Sequence, residues 1–94
     1  MNNDKENYYR EIKIWRRVGD EQAIKYICFQ SLLTGKYCVQ SADSFYLPIG
    51  NDQVQQSELQ VVELFIEVSP HERCEWFDSL EEAITQHNIF FDSD

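Results

Sequence analysis

The feature that most constrains this chain is a change of hydrophobic period halfway along it. Up to residue 47 apolar side chains recur at every second position, and after Pro48, Gly50 and Asn51 they recur at helical spacing. Side chains alternate between faces on a strand and repeat about every 3.6 residues on a helix, so one segment cannot satisfy both patterns. The chain therefore reads as a sheet followed by helices, an α+β domain.

Within the first half, Ile12, Ile14 and Val18 stand on one side of a strand, with Lys13, Trp15 and Arg17 on the other. Turn chemistry follows at Gly19-Asp20-Glu21-Gln22 and again at Thr34-Gly35. The spacing predicts a three-stranded antiparallel meander over 11–18, 23–33 and 36–47. Four-residue connections pair Val18 with Ala23 and Leu32 with Tyr37. One face then gathers Ile12, Ile14, Ile27, Phe29, Cys38, Ala42 and Tyr46, and is the better core. The other gathers Lys13, Trp15, Arg17, Tyr26, Cys28 and Tyr37. A change of one residue in either connection exchanges the faces of a strand.

Three helices are expected in the second half, over 52–67, 70–76 and 79–88, packed on one face of the sheet. The first takes an Asn51 or Asp52 cap. It is apolar on more than half its circumference, with Gln56, Gln60, Glu63 and Glu67 on a polar stripe. A strand over 61–68 is the competing reading, since Val62, Leu64, Ile66 and Val68 also alternate. Ser69-Pro70-His71-Glu72 marks the second start, with a capping serine and proline at the first helical position. Asp78 or Ser79 caps the third. Residues 1–10 are expected as a partly ordered extension, 11–88 as the domain and 89–94 as a short tail.

At 94 residues the chain holds one core. It has no apolar run of the roughly 20 residues a membrane helix needs, and no signal-like N-terminus. Cys28, Cys38 and Cys74 are an odd number without metal-ligand spacing, which fits reduced thiols and a cytoplasmic setting. Charge is strongly uneven. Residues 1–36 carry seven bases against five acids, whereas residues 37–94 carry twelve acids and one base, Arg73. Such a segment repels nucleic acid and membranes and attracts basic protein surfaces.

No catalytic or cofactor signature is present. His71 and Cys74 lie three apart, but a metal needs a third and fourth ligand that the sequence does not space suitably. Cys74 lies between Glu72 and Glu75, a poor setting for a nucleophilic thiol. Neither an enzyme nor a cofactor or metal protein is expected. The favoured reading is a small protein-binding module that regulates, inhibits or neutralises a partner with a basic surface. Its binding residues would be Glu63, Glu67, Glu72, Glu75, Asp78, Glu81 and Glu82. In size and charge alone it is similar to immunity proteins, antitoxins and nucleic-acid-mimicking inhibitors. The alternative is binding of single-stranded nucleic acid or a peptide on an aromatic and basic sheet face, with Lys13, Trp15, Arg17, Tyr26 and Tyr37. Homodimerisation is a further expectation, because a helix so widely apolar has little of this chain to pack against.

Overall fold

The computed structural model describes residues 7–92. Three antiparallel strands, β1 (Tyr9–Arg17), β2 (Gln22–Ser31) and β3 (Tyr37–Tyr46), form a sheet in sequential order. Three helices follow, α1 (Asn51–Glu67), α2 (Pro70–Arg73) and α3 (Leu80–Asp92). The expected α+β class and the meander are what the chain adopts, and residues 61–67 are helical.

Strand register departs from the expected one in a way that moves side chains between faces. Arg17, not Val18, stands opposite Ala23, and the Val18 amide donates to the Gln22 carbonyl at 3.0 Å. That one-residue difference turns β1 over. Lys13, Trp15 and Arg17 now share a face with Ile27 and Lys25, while Ile12 and Ile14 join Cys28 and Tyr26. The second hairpin pairs Gln30 with Tyr37, two residues from expectation, so its faces near the turn are kept. Its tip is turned by Gly35 at φ 76°, with the Gly35 amide bonded to the Ser31 carbonyl at 2.8 Å. A bulge beside Ile27 and Cys28 then shifts β3 by one. Beyond it Asp43 and Phe45, rather than Ala42 and Tyr46, lie on the Ile27 face.

Five consecutive residues of β2, from Lys25 to Phe29, are buried. Alternation allows this only if both faces of the central strand are covered. On one face α1 packs Val61 and Phe65 against Ile27, Phe29 and Cys38, joined by Tyr9, Cys74 and Trp76. Complete burial of side chains such as these is worth roughly 1.5–3 kcal/mol each. Rings interlock at this end, with Phe65 centred 5.1 Å from Phe29 and 5.6 Å from Tyr9. On the opposite face α3 buries Ala83, and the Tyr26 hydroxyl donates to Asn88 Oδ1 at 2.8 Å. The helices therefore divide between the two faces of the sheet, where the sequence suggested that one face is covered. The chain passes between layers around the β3 edge, where Phe77 and Tyr37 exchange two backbone hydrogen bonds of 2.8 Å.

Local chemistry sets the helix limits. Gly50 occupies the N-cap of α1 without a side-chain bond, so neither Asn51 nor Asp52 acts as the cap. Ser69 accepts from the His71 amide at 3.3 Å, as its spacing predicts. α2 lasts one turn rather than reaching residue 76, because Cys74 is already extended and leads Phe77 to the sheet edge. Ser79, not Asp78, caps α3 by accepting from the Glu82 amide at 3.1 Å. With no glycine or proline to stop it, α3 continues through the segment expected as a tail, to Asp92. β1 likewise begins at Tyr9, inside the expected extension; residues 1–6 of that expectation lie outside the described residues. Along its outer edge β1 carries Arg10, Glu11, Lys13, Arg16 and Arg17, charges that discourage pairing with another strand. No helix among the described residues is long and apolar enough to cross a membrane.

Candidate functional site

α1 carries two apolar stripes rather than one broad apolar face. Val54, Ser57, Val61, Leu64 and Phe65 turn inward, at the spacing of a core-facing helix. Leu59, Val62 and Ile66 form a second stripe at i, i+3 and i+7, and they are 60%, 55% and 76% exposed. The sequence suggests burial of most of the circumference, and the structure leaves this outer stripe uncovered. Glu58 borders it on one side and Glu63 on the other, and both are exposed. Asp52, Glu58, Glu63 and Glu67 are the charged residues of α1, which has no base.

All seven acids expected to bind a partner are exposed, but they do not form one patch. Glu63 and Glu67 lie on α1, whereas Glu81 and Glu82 lie in the first turn of α3 across the sheet. Their place at a helix N-terminus is stabilising in itself. Glu72, Glu75 and Asp78 lie in the connection around β3, and Asp78 pairs with Lys36 at 3.6 Å. Only the α1 acids adjoin an exposed apolar stripe.

The aromatic and basic residues are likewise separated. Tyr26 and Tyr37 lie on the α3 side of the sheet; Tyr26 is buried, and Tyr37 accepts from Gln30 Nε2 at 3.2 Å. Lys13, Trp15 and Arg17 lie on the α1 side, at the end where α1 begins. There they border a cleft of about 520 Å³ walled by Phe45, Leu47, Ile49 and Val54. Lys13 lies 3.9 Å from Glu11, and Arg17 lies 3.6 Å from Asp20. Lys25 is also in this cleft, a residue the sequence reading missed because its burial follows from the register alone.

The three cysteines are free. Burial pushes the Cys28 thiol up to about 12. Cys38 donates to Cys74 and is itself pushed up, first by that bond and then by burial. The same bond, against burial and with help from Arg73, holds the Cys74 thiol below its ordinary value. His71 sits in an aromatic group, its ring 5.1 Å from Trp76 and 5.2 Å from Tyr9. Among the described residues no three His, Cys, Asp or Glu side chains converge on a point where a metal ion would sit. Comparison with family models, curated proteins and solved structures finds no match to this chain.

Proposed function

We propose that this protein is a protein-binding module that regulates or inhibits a partner through the outer face of α1. The observation that carries this reading is the exposed stripe of Leu59, Val62 and Ile66, flanked by acids on a helix without a base. An apolar stripe supplies burial, and the surrounding charge selects what can approach. The matching partner is an amphipathic helix whose own stripe is bordered by Lys or Arg, laid into the ridge of α1. A second copy of this chain fits less well. Two α1 helices packed through these stripes bring acids together with no base on either side. Glu72, Glu75, Asp78, Glu81 and Glu82 contribute long-range attraction for a basic partner rather than contacts at the stripe. A cytoplasmic setting belongs to the same reading and is supported by the three free thiols.

The test is calorimetric titration with a synthetic amphipathic helix of leucine and lysine, beside the same peptide with glutamate in place of lysine. The basic peptide should bind, more weakly as salt rises, and the acidic peptide should not. Glu63→Gln with Glu67→Gln should weaken binding, and Val62→Gln with Ile66→Gln should remove it. Equal binding of both peptides, or native affinity in the Val62 and Ile66 variant, rules the reading out. Sedimentation of the free protein at high concentration distinguishes self-association on the same stripe.

A further inference from the structure

Cys38 and Cys74 join the core to the chain that passes around the β3 edge. Cys38 is fully buried with Ile27, Phe29 and Val61, and Cys74, the extended residue after α2, packs against that cluster. The two side chains share a hydrogen bond that Cys38 donates. Neighbouring contacts fix the approach. The Cys74 amide donates to the Pro70 carbonyl at 2.9 Å, and Tyr37 and Phe77 exchange two backbone bonds of 2.8 Å. Arg73 Nη2 donates to the Gln40 carbonyl at 3.4 Å. Sulfurs that share a proton and are held from both sides need only small torsional changes to reach bonding distance. Cys28 takes no part, because it projects from the other face of the sheet. Its cross-strand neighbours are Ile12 and Val39, whereas Cys38 stands beside Phe29.

The two thiols differ in the way a redox pair requires. Cys74 is half-buried and lines a cleft of about 750 Å³ between β3 and α3, whereas Cys38 has no exposure. The bond from Cys38, aided by the Arg73 guanidinium and against burial, holds the Cys74 thiol below its ordinary value. The accessible sulfur is thus the one on which thiolate, the reactive form, is favoured. Glu72 and Glu75 flank it in sequence, but both are exposed, and water screens their opposition.

We propose that Cys38 and Cys74 form a peroxide-sensitive switch, in which a reversible disulfide fastens β3 to the connection between α2 and α3. The Cys74 thiolate attacks hydrogen peroxide, an S–O bond forming as the O–O bond breaks. The departing hydroxide takes up the proton that Cys74 released and becomes water. The Cys38 sulfur then attacks the Cys74 sulfenic acid; the S–S bond forms, the S–O bond breaks, and the hydroxide leaves with the Cys38 proton as a second water. The two sulfurs lose the two electrons that reduce the peroxide. A dithiol reductant reverses the bond by exchange. In the reduced protein hydrogen bonds and packing hold this connection to the β3 edge. The disulfide adds a covalent hold on the passage that leads to α3. This pair is independent of the outer stripe of α1.

The unaltered protein is treated with hydrogen peroxide at neutral pH, blocked with N-ethylmaleimide and mapped by peptide mass. One intramolecular link between Cys38 and Cys74 should appear, with Cys28 still reduced, and dithiothreitol should restore all three thiols. Cys74→Ser should lose its thiols to peroxide roughly tenfold or more slowly, since the two that remain are buried. Cys38→Ala should halt at a sulfenic acid on Cys74 that dimedone captures; if that core variant does not fold, the map of the unaltered chain decides. Amide hydrogen exchange over residues 70–78 should slow on oxidation and recover on reduction. A link that includes Cys28 or joins two chains, thiols that survive peroxide, or native-rate oxidation of Cys74→Ser overturns the pair. Unchanged exchange over 70–78 overturns its action as a lock.

Discussion

Replacing Leu59, Val62 and Ile66 together with glutamine tests the placement of α1 directly. In the free protein these side chains are 60%, 55% and 76% exposed, so only a minor part of each is withdrawn from water. Complete burial of a side chain of this size is worth roughly 1.5–3 kcal/mol, which caps the loss for all three at about 2–3 kcal/mol. Much of the shielding comes from neighbours on the same helix, and glutamine keeps two methylenes at each site. Glutamine is also a better helix former than valine or isoleucine by a few tenths of a kcal/mol. The net cost should be about 1 kcal/mol or less. Phe65→Ala on the inward stripe should cost about 3 kcal/mol, since it opens a gap against Phe29 and Tyr9. Urea unfolding followed by circular dichroism separates the two outcomes, provided the slope is unchanged. A triple variant as unstable as Phe65→Ala refutes the placement of the stripe in solvent. A loss that grows with native protein concentration would mean that copies of the chain cover it.

Tyr26→Phe removes the donor to Asn88 at 2.8 Å and should cost about 1 kcal/mol; hydrogen exchange should rise most in the second half of α3. Alkali should destabilise the fold. The Cys28 thiol is pushed up to about 12, so between its ordinary value and 12 the unfolded chain has lost a proton that the folded one keeps. Stability should therefore fall by roughly 1 kcal/mol per pH unit across that window, and Cys28→Ala should flatten the fall measured by denaturant titration at each pH. Cys74 should be the first thiol alkylated by iodoacetamide at neutral pH, with Cys28 protected until the protein unfolds, as peptide mapping would read. Mild oxidation with diamide should join Cys38 to Cys74, leaving Cys28 reduced.

The parts of the fold that were legible are those decided by local pattern. Alternation from Ile12 to Arg17, the Thr34-Gly35 turn and the Ser69-Pro70 start each announce themselves within a few residues. Register is a different kind of fact. The Gly19 to Gln22 connection tolerates more than one closure, and the bulge beside Ile27 has no glycine to mark it. One residue at the first decided whether Trp15 stands beside Tyr26 or beside Lys25, and one residue at the second decided whether Tyr46 or Phe45 lies on the Ile27 face. Burial of α1 was overestimated because its outer stripe has the composition of a core and only the tertiary arrangement leaves it in solvent. The acids were legible as exposed side chains but not as a surface, since the sequence does not show that α1 and α3 lie on opposite sides of the sheet.

That arrangement gives the two ends of α1 different work. At the C-terminal end of its inward stripe Phe65 fills the space over Phe29 and Tyr9, and the layer is closed. At the N-terminal end the inward residues are smaller. Ser57 is held to Asp43, and Val54 reaches only the wall of the cleft. A taper in side-chain volume along one helix face thus seals the core at one end and leaves a cavity at the other. The register of β1 places Trp15, Lys13 and Arg17 at the open end, and β2 places Lys25 at its floor. The bases Lys13, Arg17 and Lys25 therefore line a concave site together with Asp20, Glu21 and Glu58, while Glu63 and Glu67 lie beyond it on the exposed part of α1.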